Sequence, residues 1–195
     1  ILTCLWAALP VAAETTLSQF IAKVPAGDLV AGADGFGPPH ADAAAVPVLK
    51  AGETIGWAFI TSDYVGTTGY SGKPIHTMVA LDKDAKIIGA MLVKHSEPIV
   101  LLGIPEAKMK AVVDGYIGLD LVSEANSGGS GHDVDIISGA TVTVMVIDDS
   151  IVRSGLKVAR SLGLGGLAPH VADSGPKVEV NPDATAPKDW MTMEG

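Results

Sequence analysis

Residues Asp135 to Ser150 read DIISGATVTVMVIDDS, and the character of the chain changes in the middle of this stretch. Asp133 to Ile137 alternates apolar and polar residues like a short strand. Ser138-Gly139-Ala140-Thr141 is small and hydroxyl-bearing, and from Val142 onward the apolar spacing is that of a helix. A strand, a tight turn of small residues and a helix start together make a recurrent phosphate cradle. The first-turn N–H groups have no intrahelical partners, and the helix dipole favours an anion beside them. Gly139 and Ala140 allow close approach to the backbone, and Thr141 supplies a hydroxyl at the phosphate position. A plainer reading fits the same residues: Ser138 as helix N-cap, with Gly139 and Ala140 chosen for tight packing.

The helix opening near Thr141 is expected to run to about Gly163. Val144, Ile147, Ile151, Val158 and Leu162 face the core, while Asp148, Asp149, Arg153, Lys157 and Arg160 face out. Upstream, Ser123 to His132 is rich in Ser, Gly and Asn and reads as a surface loop. Before it, Pro105 opens a helix with Met109, Val112, Val113 and Tyr116 as its buried stripe and Glu106–Lys110 as an i,i+4 pair. Three strands precede that helix. Glu53–Thr61 places Ile55, Trp57 and Phe59 on one face, and Ile75–Leu81 groups Ile75, Thr77, Val79 and Leu81. Lys86–His95 sets Ile88, Ala90 and Leu92 against Ile87, Met91 and Val93, with a turn at Asp82–Ala85 joining the last two strands. The pattern predicts an α+β fold, a twisted antiparallel sheet with packed helices.

Between the first two of these strands, Gly66, Gly69 and Gly72 match a dinucleotide fingerprint poorly, because a strand rather than a helix follows. This segment reads as a wide loop, with Tyr64 and Tyr70 as a wall of a site or a cover for the sheet edge. Thr15–Val24 is expected to form a short amphipathic helix, and Gly32–Ala45 an irregular connector. Ile1 to Leu9 is apolar and is followed by Pro10-Val11-Ala12-Ala13, so residues 1–13 are expected to be part of a secretory signal cut after Ala13. Ala168 to Gly195 is expected to be a loosely packed tail or linker.

Bulk properties narrow the function. The 195 residues carry a net charge of −9, which argues against nucleic acid or an anionic membrane surface as a direct partner. The single cysteine, Cys4, lies in the opening apolar run, so no disulfide framework or cysteine-based metal site can be built within the chain. The five histidines show no metal-ligand spacing, and no metal site is expected.

Asp135-Ile136-Ile137-Ser138-Gly139-Ala140-Thr141 resembles the flavinylation motif of FMN-binding domains in the Nqr and Rnf redox-pump subunits. The resemblance implies that a flavin transferase takes FMN from FAD and esterifies its phosphate to Thr141, with Asp135 and Ser138 positioning the motif. GYSGKPI from Gly69, HSEPIVLLGIPE from His95 and SGATVTVMVIDDSIVRS from Ser138 resemble the NosR/NirI family more narrowly. That likeness covers roughly Ala45 to Leu164. It implies a periplasmic covalent-FMN electron-transfer domain of an inner-membrane protein. The domain would support maturation or activation of nitrous oxide reductase through a related redox partner. The implied plan is a partial signal (1–13), an N-terminal helix and linker (14–44), an FMN-binding domain (45–165) and a tail (166–195) leading to a membrane part. The implied site gathers Asp135, Ser138, Gly139, Ala140 and Thr141 with Tyr70, His95, Glu97, Leu101, Leu102, Gly103 and Ile104 as flavin neighbours. His95-Ser96-Glu97-Pro98 stands where the pump subunits have a Thr-Pro-Gly-Leu-Gly continuation, which implies a different polarity around the ring. Two other readings stay open: a redox sensor controlling nitrous oxide reductase genes through the membrane, and a domain that binds a phosphate ligand without a covalent bond.

Overall fold

Apolar residues alternating through Ala45–Lys94 build the centre of the protein, an antiparallel meander. The computed structural model describes residues 15–128 and 131–168; the expected signal segment, and the expected tail beyond residue 168, lie outside the described residues. The elements are α1 (Thr16–Ile21), α2 (Ala26–Leu29), β1 (Gly35–Phe36), β2 (Ala45–Lys50), β3 (Glu53–Ile60), β4 (His76–Leu81) and β5 (Ile87–Lys94), then α3 (Pro98–Gly103), α4 (Glu106–Asp114), α5 (Leu121–Ser127) and α6 (Thr141–Leu162). The strands lie in the order β1-β2-β3-β4-β5, every pair antiparallel. The expected α+β architecture is the observed one.

Both faces of the sheet are covered. On one, Phe59, Val79, Leu81 and Ile87 pack with Met109 and Val113 of α4, Leu121 of α5 and Val144, Ile147 and Ile151 of α6. On the other, Val46, Val48, Ala58, Ile60, Met78 and Ala80 pack under Leu17 of α1 and Leu29 of α2. Removing one of the buried isoleucines of α6 costs about 2–5 kcal/mol, so the long helix is fixed chiefly by this face.

Several expectations are corrected. Ile55 does not share a face with Trp57 and Phe59; it packs in the opposite cluster, because the register shifts between Val48 and Leu49 and one residue of β3 is left over. Ile88 likewise leaves the face of Ala90 and Leu92 at a shift between Ala80 and Leu81. A one-residue bulge reverses the alternation on which the sequence reading relied. β1 and β2 fall in or beside the stretch read as a connector, where Pro47 disguises β2. The first half of the supposed loop 123–132 belongs to α5, capped by Asp120, whose side chain accepts from Val122 N and Ser123 N. Lys110 pairs with Asp114 at 2.6 Å rather than with Glu106.

Asp133–Ile137, read as a short strand, forms neither strand nor helix. The outer edge of β5 is already engaged at its start, since Ile87 N donates to Leu119 O and Gly118 N donates to Ile87 O. Val134 and Ile137 tuck against the core instead.

Candidate functional site

Ile137 to Ala140 forms a turn closed by Ala140 N donating to Ile137 O at 2.9 Å. Gly139 takes φ +87°, a backbone conformation that side chains rarely adopt, and a Cβ placed there would meet nothing within 4 Å. The requirement for glycine is therefore conformational rather than steric. The turn ends in Ala140, which is buried and occupies the N-cap position of α6. Thr141 is the first helical residue, and no side chain caps the helix. The N-cap expected of Ser138 is corrected: Ser138 is exposed and lies two residues before the true cap, the wrong position for the first-turn amides. Thr141, Ser138 and Gly139 all face solvent. Asp135 is exposed too, at the lip of a cleft of ≈ 410 Å³ shared with Tyr116, Gly118, His132 and Val134.

The beginning of α6 is tied to two distant segments by one carboxylate. Glu97, fully buried at the residue preceding α3, accepts from Tyr70 N (3.1 Å), Ser71 N (3.2 Å), Ser71 Oγ (2.7 Å) and Thr143 Oγ1 (3.0 Å). Burial alone would push its carboxyl up, but these hydrogen bonds together outweigh that and hold it below its ordinary value. Gly69 makes the approach possible, for a Cβ there would lie 2.5–2.6 Å from the Glu97 carboxylate. The same loop is clipped to α6 twice more, by Thr67 Oγ1 donating to Asp149 (2.8 Å) and by Lys157 Nζ donating to Tyr64 O (2.8 Å).

This junction concentrates exposed apolar surface. Tyr70 (61% exposed), Leu101 (65%), Leu102 (88%), Val142 (38%) and Met145 (58%) stand on the three segments that Glu97 joins. Met145 follows Thr141 by four residues and so shares its helix face. His95 and Ile104 sit elsewhere, in the wall of a groove of ≈ 990 Å³ along β5, α3 and α4 that Leu101 also lines. His95 Nδ1 accepts from Glu97 N at 3.3 Å. Gly103 is exposed at the end of α3. Tyr64, read as a second wall of the site, is instead packed edge-on against Phe59, and burial pushes its hydroxyl up to about 12.

A second cluster escaped the sequence reading. His132 Nε2 lies 2.8 Å from Asp148 Oδ1 of α6, and Nδ1 lies 3.1 Å from Glu124 Oε2 of α5. The Nδ1 contact is close but not aligned as a hydrogen bond. Tyr116 OH also donates to Asp148 Oδ1 (2.9 Å), and its ring meets the imidazole edge to face at 5.7 Å. Burial would lower the His132 pKa, but the two carboxylates outweigh it and raise it. Asp148, expected to face out, is thus half of an inward-facing ion cluster. Helical spacing alone placed it on the polar face; only the fold brings α5 and residue 132 to it.

Residues 69–154 match the model of the FMN-binding domain family. The matched stretch begins at Gly69, the residue abutting Glu97, and encloses His132 and Thr141. The chain is 38% identical over 164 residues to the regulatory protein NosR of Pseudomonas aeruginosa, covering 82% of this chain and 23% of that protein. It is 43% identical over 120 residues to the protein NirI of Paracoccus denitrificans, covering 61% of this chain and 17% of that protein. This is an FMN-binding domain of the NosR/NirI family. A second regulatory protein NosR, from Stutzerimonas stutzeri, is 37% identical over 76% of this chain and 21% of its own length. The chain thus spans about a fifth of the length of the curated NosR and NirI relatives it matches. No solved structure matches it. Among the described residues, no helix is long and apolar enough to cross a membrane.

Proposed function

We propose that this NosR/NirI-type domain carries its FMN covalently, with the phosphate esterified to Thr141 Oγ1, and serves as an electron-transfer module of the periplasm. The observation that carries the reading is that Thr141, an exposed residue, stands at the side-chain-uncapped start of a 22-residue helix. The residues present suit a flavin phosphate. First-turn amides and the helix dipole stabilise the charge that a phosphodiester retains. The positive φ of Gly139 turns the backbone sharply into the helix, and no side chain there crowds the approach. Tyr70, Val142, Met145, Leu101 and Leu102 offer apolar surface for a flat ring and exclude water from one side of it. FMN, once bound, supplies one- or two-electron chemistry, and the charge and hydrogen bonding around the ring tune its potential. Glu97 acts on this site through the loop it holds, since its carboxylate is enclosed by four donors from the protein itself.

The further role we propose is delivery of electrons toward maturation or activation of nitrous oxide reductase, with a membrane part of the larger protein as anchor. The NosR relatives are named regulatory proteins, which favours a second reading, a redox sensor acting on gene expression. The decisive first experiment is intact-mass measurement after co-expression with a flavin transferase. The expected result is one added FMN, with yellow fluorescence that survives denaturation and is lost in Thr141→Val. Flavin that washes out on unfolding would overturn the ester. A flavin-less variant that still permits transcription but yields inactive reductase supports electron delivery; loss of transcription supports sensing.

A further inference from the structure

We infer that His132 is a positioning residue for the acceptor turn: as an imidazolium held between Glu124 and Asp148, it clamps the start of segment 131–140 and thereby presents Asp135 and Thr141 to the modifying enzyme. The inference rests on the Thr141 reading and deepens it. Segment 131–140 has no strand partner and no helix; its described anchors are few. Val134 and Ile137 are half-buried at the core, and Ala140 N closes the turn. Ala140 is itself buried, and among the described residues the other polar contacts of the segment lie at its first two residues. Gly131 N donates to Glu124 Oε2 at 3.3 Å, and His132 bridges Glu124 to Asp148. Gly131 is required by the same contact, since a Cβ there would lie 2.6 Å from Ser127 Oγ and 2.8 Å from Glu124 Oε1.

The charge balance makes the imidazolium the natural state. Glu124 is almost wholly buried, and Asp148 is three-quarters covered. Two carboxylates converging on one ring repel each other unless a cation lies between them. Tyr116 OH, the other group on Asp148, donates a proton and carries no charge. Asp133 and Asp135, in the wall of the adjoining cleft, add negative charge on the open side. Loss of the His132 proton therefore removes the only cation of the cluster among the described residues and loosens the entry to the acceptor segment, leaving Gly131 N on Glu124 and one hydrogen bond to Asp148.

The chemistry served is balanced within the proposed modification. The Thr141 Oγ1–H bond breaks and its proton passes to solvent or base. Oγ1 forms a P–O bond with the FMN phosphorus as the pyrophosphate P–O bond of FAD breaks, and AMP leaves. His132 makes no contact with the reacting atoms; it sets where Oγ1 is held. Misplacement of a reacting group by about 1 Å can cost up to about a hundredfold in rate.

The test uses the full chain, a purified flavin transferase and FAD, with wild type, His132→Gln and His132→Lys. His132→Gln keeps polar atoms near both carboxylates without the charge; His132→Lys restores a charge. The loading rate of His132→Gln is expected to fall about tenfold relative to wild type at pH 6. The deficit should narrow as pH rises and wild-type His132 loses its own proton, and His132→Lys should recover most of the rate. Taking the variant-to-wild-type ratio at each pH cancels the transferase's own pH dependence. In the flavin-free proteins, amide exchange should quicken at residues 131–140 in His132→Gln while the Ile147–Ala159 part of α6 stays protected. Equal loading at every pH with unchanged exchange would overturn the clamp. Wild type that accepts no FMN would overturn the Thr141 ester instead, and the exchange arm would still decide whether His132 holds the segment.

Discussion

Glu97 and His132 each fasten a different segment to the N-terminal part of α6, but one is an anion among neutral donors and the other a cation between anions. Glu97 joins the 69–71 loop and the start of α3 to Thr143 through four hydrogen bonds from uncharged N–H and O–H groups. His132 joins the segment leading to Thr141 and helix α5 to Asp148 through charge. The first arrangement is directional, and its geometry is specified by donors that have nowhere else to go. The second adds Coulomb attraction to a single imidazole–carboxylate hydrogen bond, and it weakens when the ring loses its proton. Around neutral pH the 69–71 loop is thus held by a hub that keeps its charge, whereas the turn proposed as acceptor hangs on a contact that titrates there.

The largest effect is expected from breaking the hub. Glu97→Ala leaves Tyr70 N, Ser71 N, Ser71 Oγ and Thr143 Oγ1 without their buried acceptor, and it should cost about 3 kcal/mol or more in chemical denaturation. His132→Gln, which keeps polar atoms in the cluster, should cost about 1 kcal/mol under the same conditions at pH 6. If the two losses are equal, the contrast between a permanent hub and an adjustable clamp fails.

A smaller effect sharpens the same contrast. Gly69→Ala drives a Cβ against the Glu97 carboxylate and should cost about 1–3 kcal/mol, the range of overpacking in a tight site. In a Glu97→Ala background the obstacle is gone, so the added Cβ should become nearly neutral. A double-mutant cycle should therefore give a coupling energy of about 1 kcal/mol or more. Strictly additive losses would show that the close approach of loop and carboxylate carries no energy.

The legible parts of this molecule were local ones. The turn at Ser138–Thr141 and the buried stripe of α6 follow from residue types at fixed spacing, and so do the β4 face and the choice of an α+β fold. The bulges in β3 and β5 were not legible, since no residue type marks the one left out of register. Glu97, between a His and a Pro, reads from the sequence as a ring neighbour. That four protein donors would enclose it depends on a loop twenty-six residues earlier and a helix forty-six later. His132 is not legible in the sequence because its partners, Glu124 and Asp148, lie on two helices, one in a Ser- and Gly-rich stretch with the pattern of a loop and the other carrying its acid at a spacing that suits a solvated face. Sequence spacing reports a helix face; it does not report which neighbouring element arrives on it.

The smallest effect is a difference in pH dependence, and its direction separates the two groups. The Glu97 carboxyl is held below its ordinary 4.5, so its contribution to stability is present above that value and is lost as pH falls through the lowered one. The His132 ring is held above its ordinary 6.5, so its contribution is complete below that value and is lost as pH rises through the raised one. His76 acts in the opposite sense to His132. Burial, together with Lys94, keeps it below 6.5, so that its protonation costs stability as pH falls. The wild-type curve therefore mixes the two histidines, whereas the difference between wild type and His132→Gln cancels His76. That difference should be flat below pH 6.5 and shrink above it, while the difference between wild type and Glu97→Gln should be flat above pH 4.5 and shrink below it. Each limb can change by at most one proton's worth, about 1.4 kcal/mol per pH unit. Stability curves from urea denaturation between pH 3 and 9 would read both limbs. A His132→Gln difference that shrinks on the acid side instead would mean that the ring enters the cluster neutral, and the opposed pH senses of His132 and Glu97 would collapse into one.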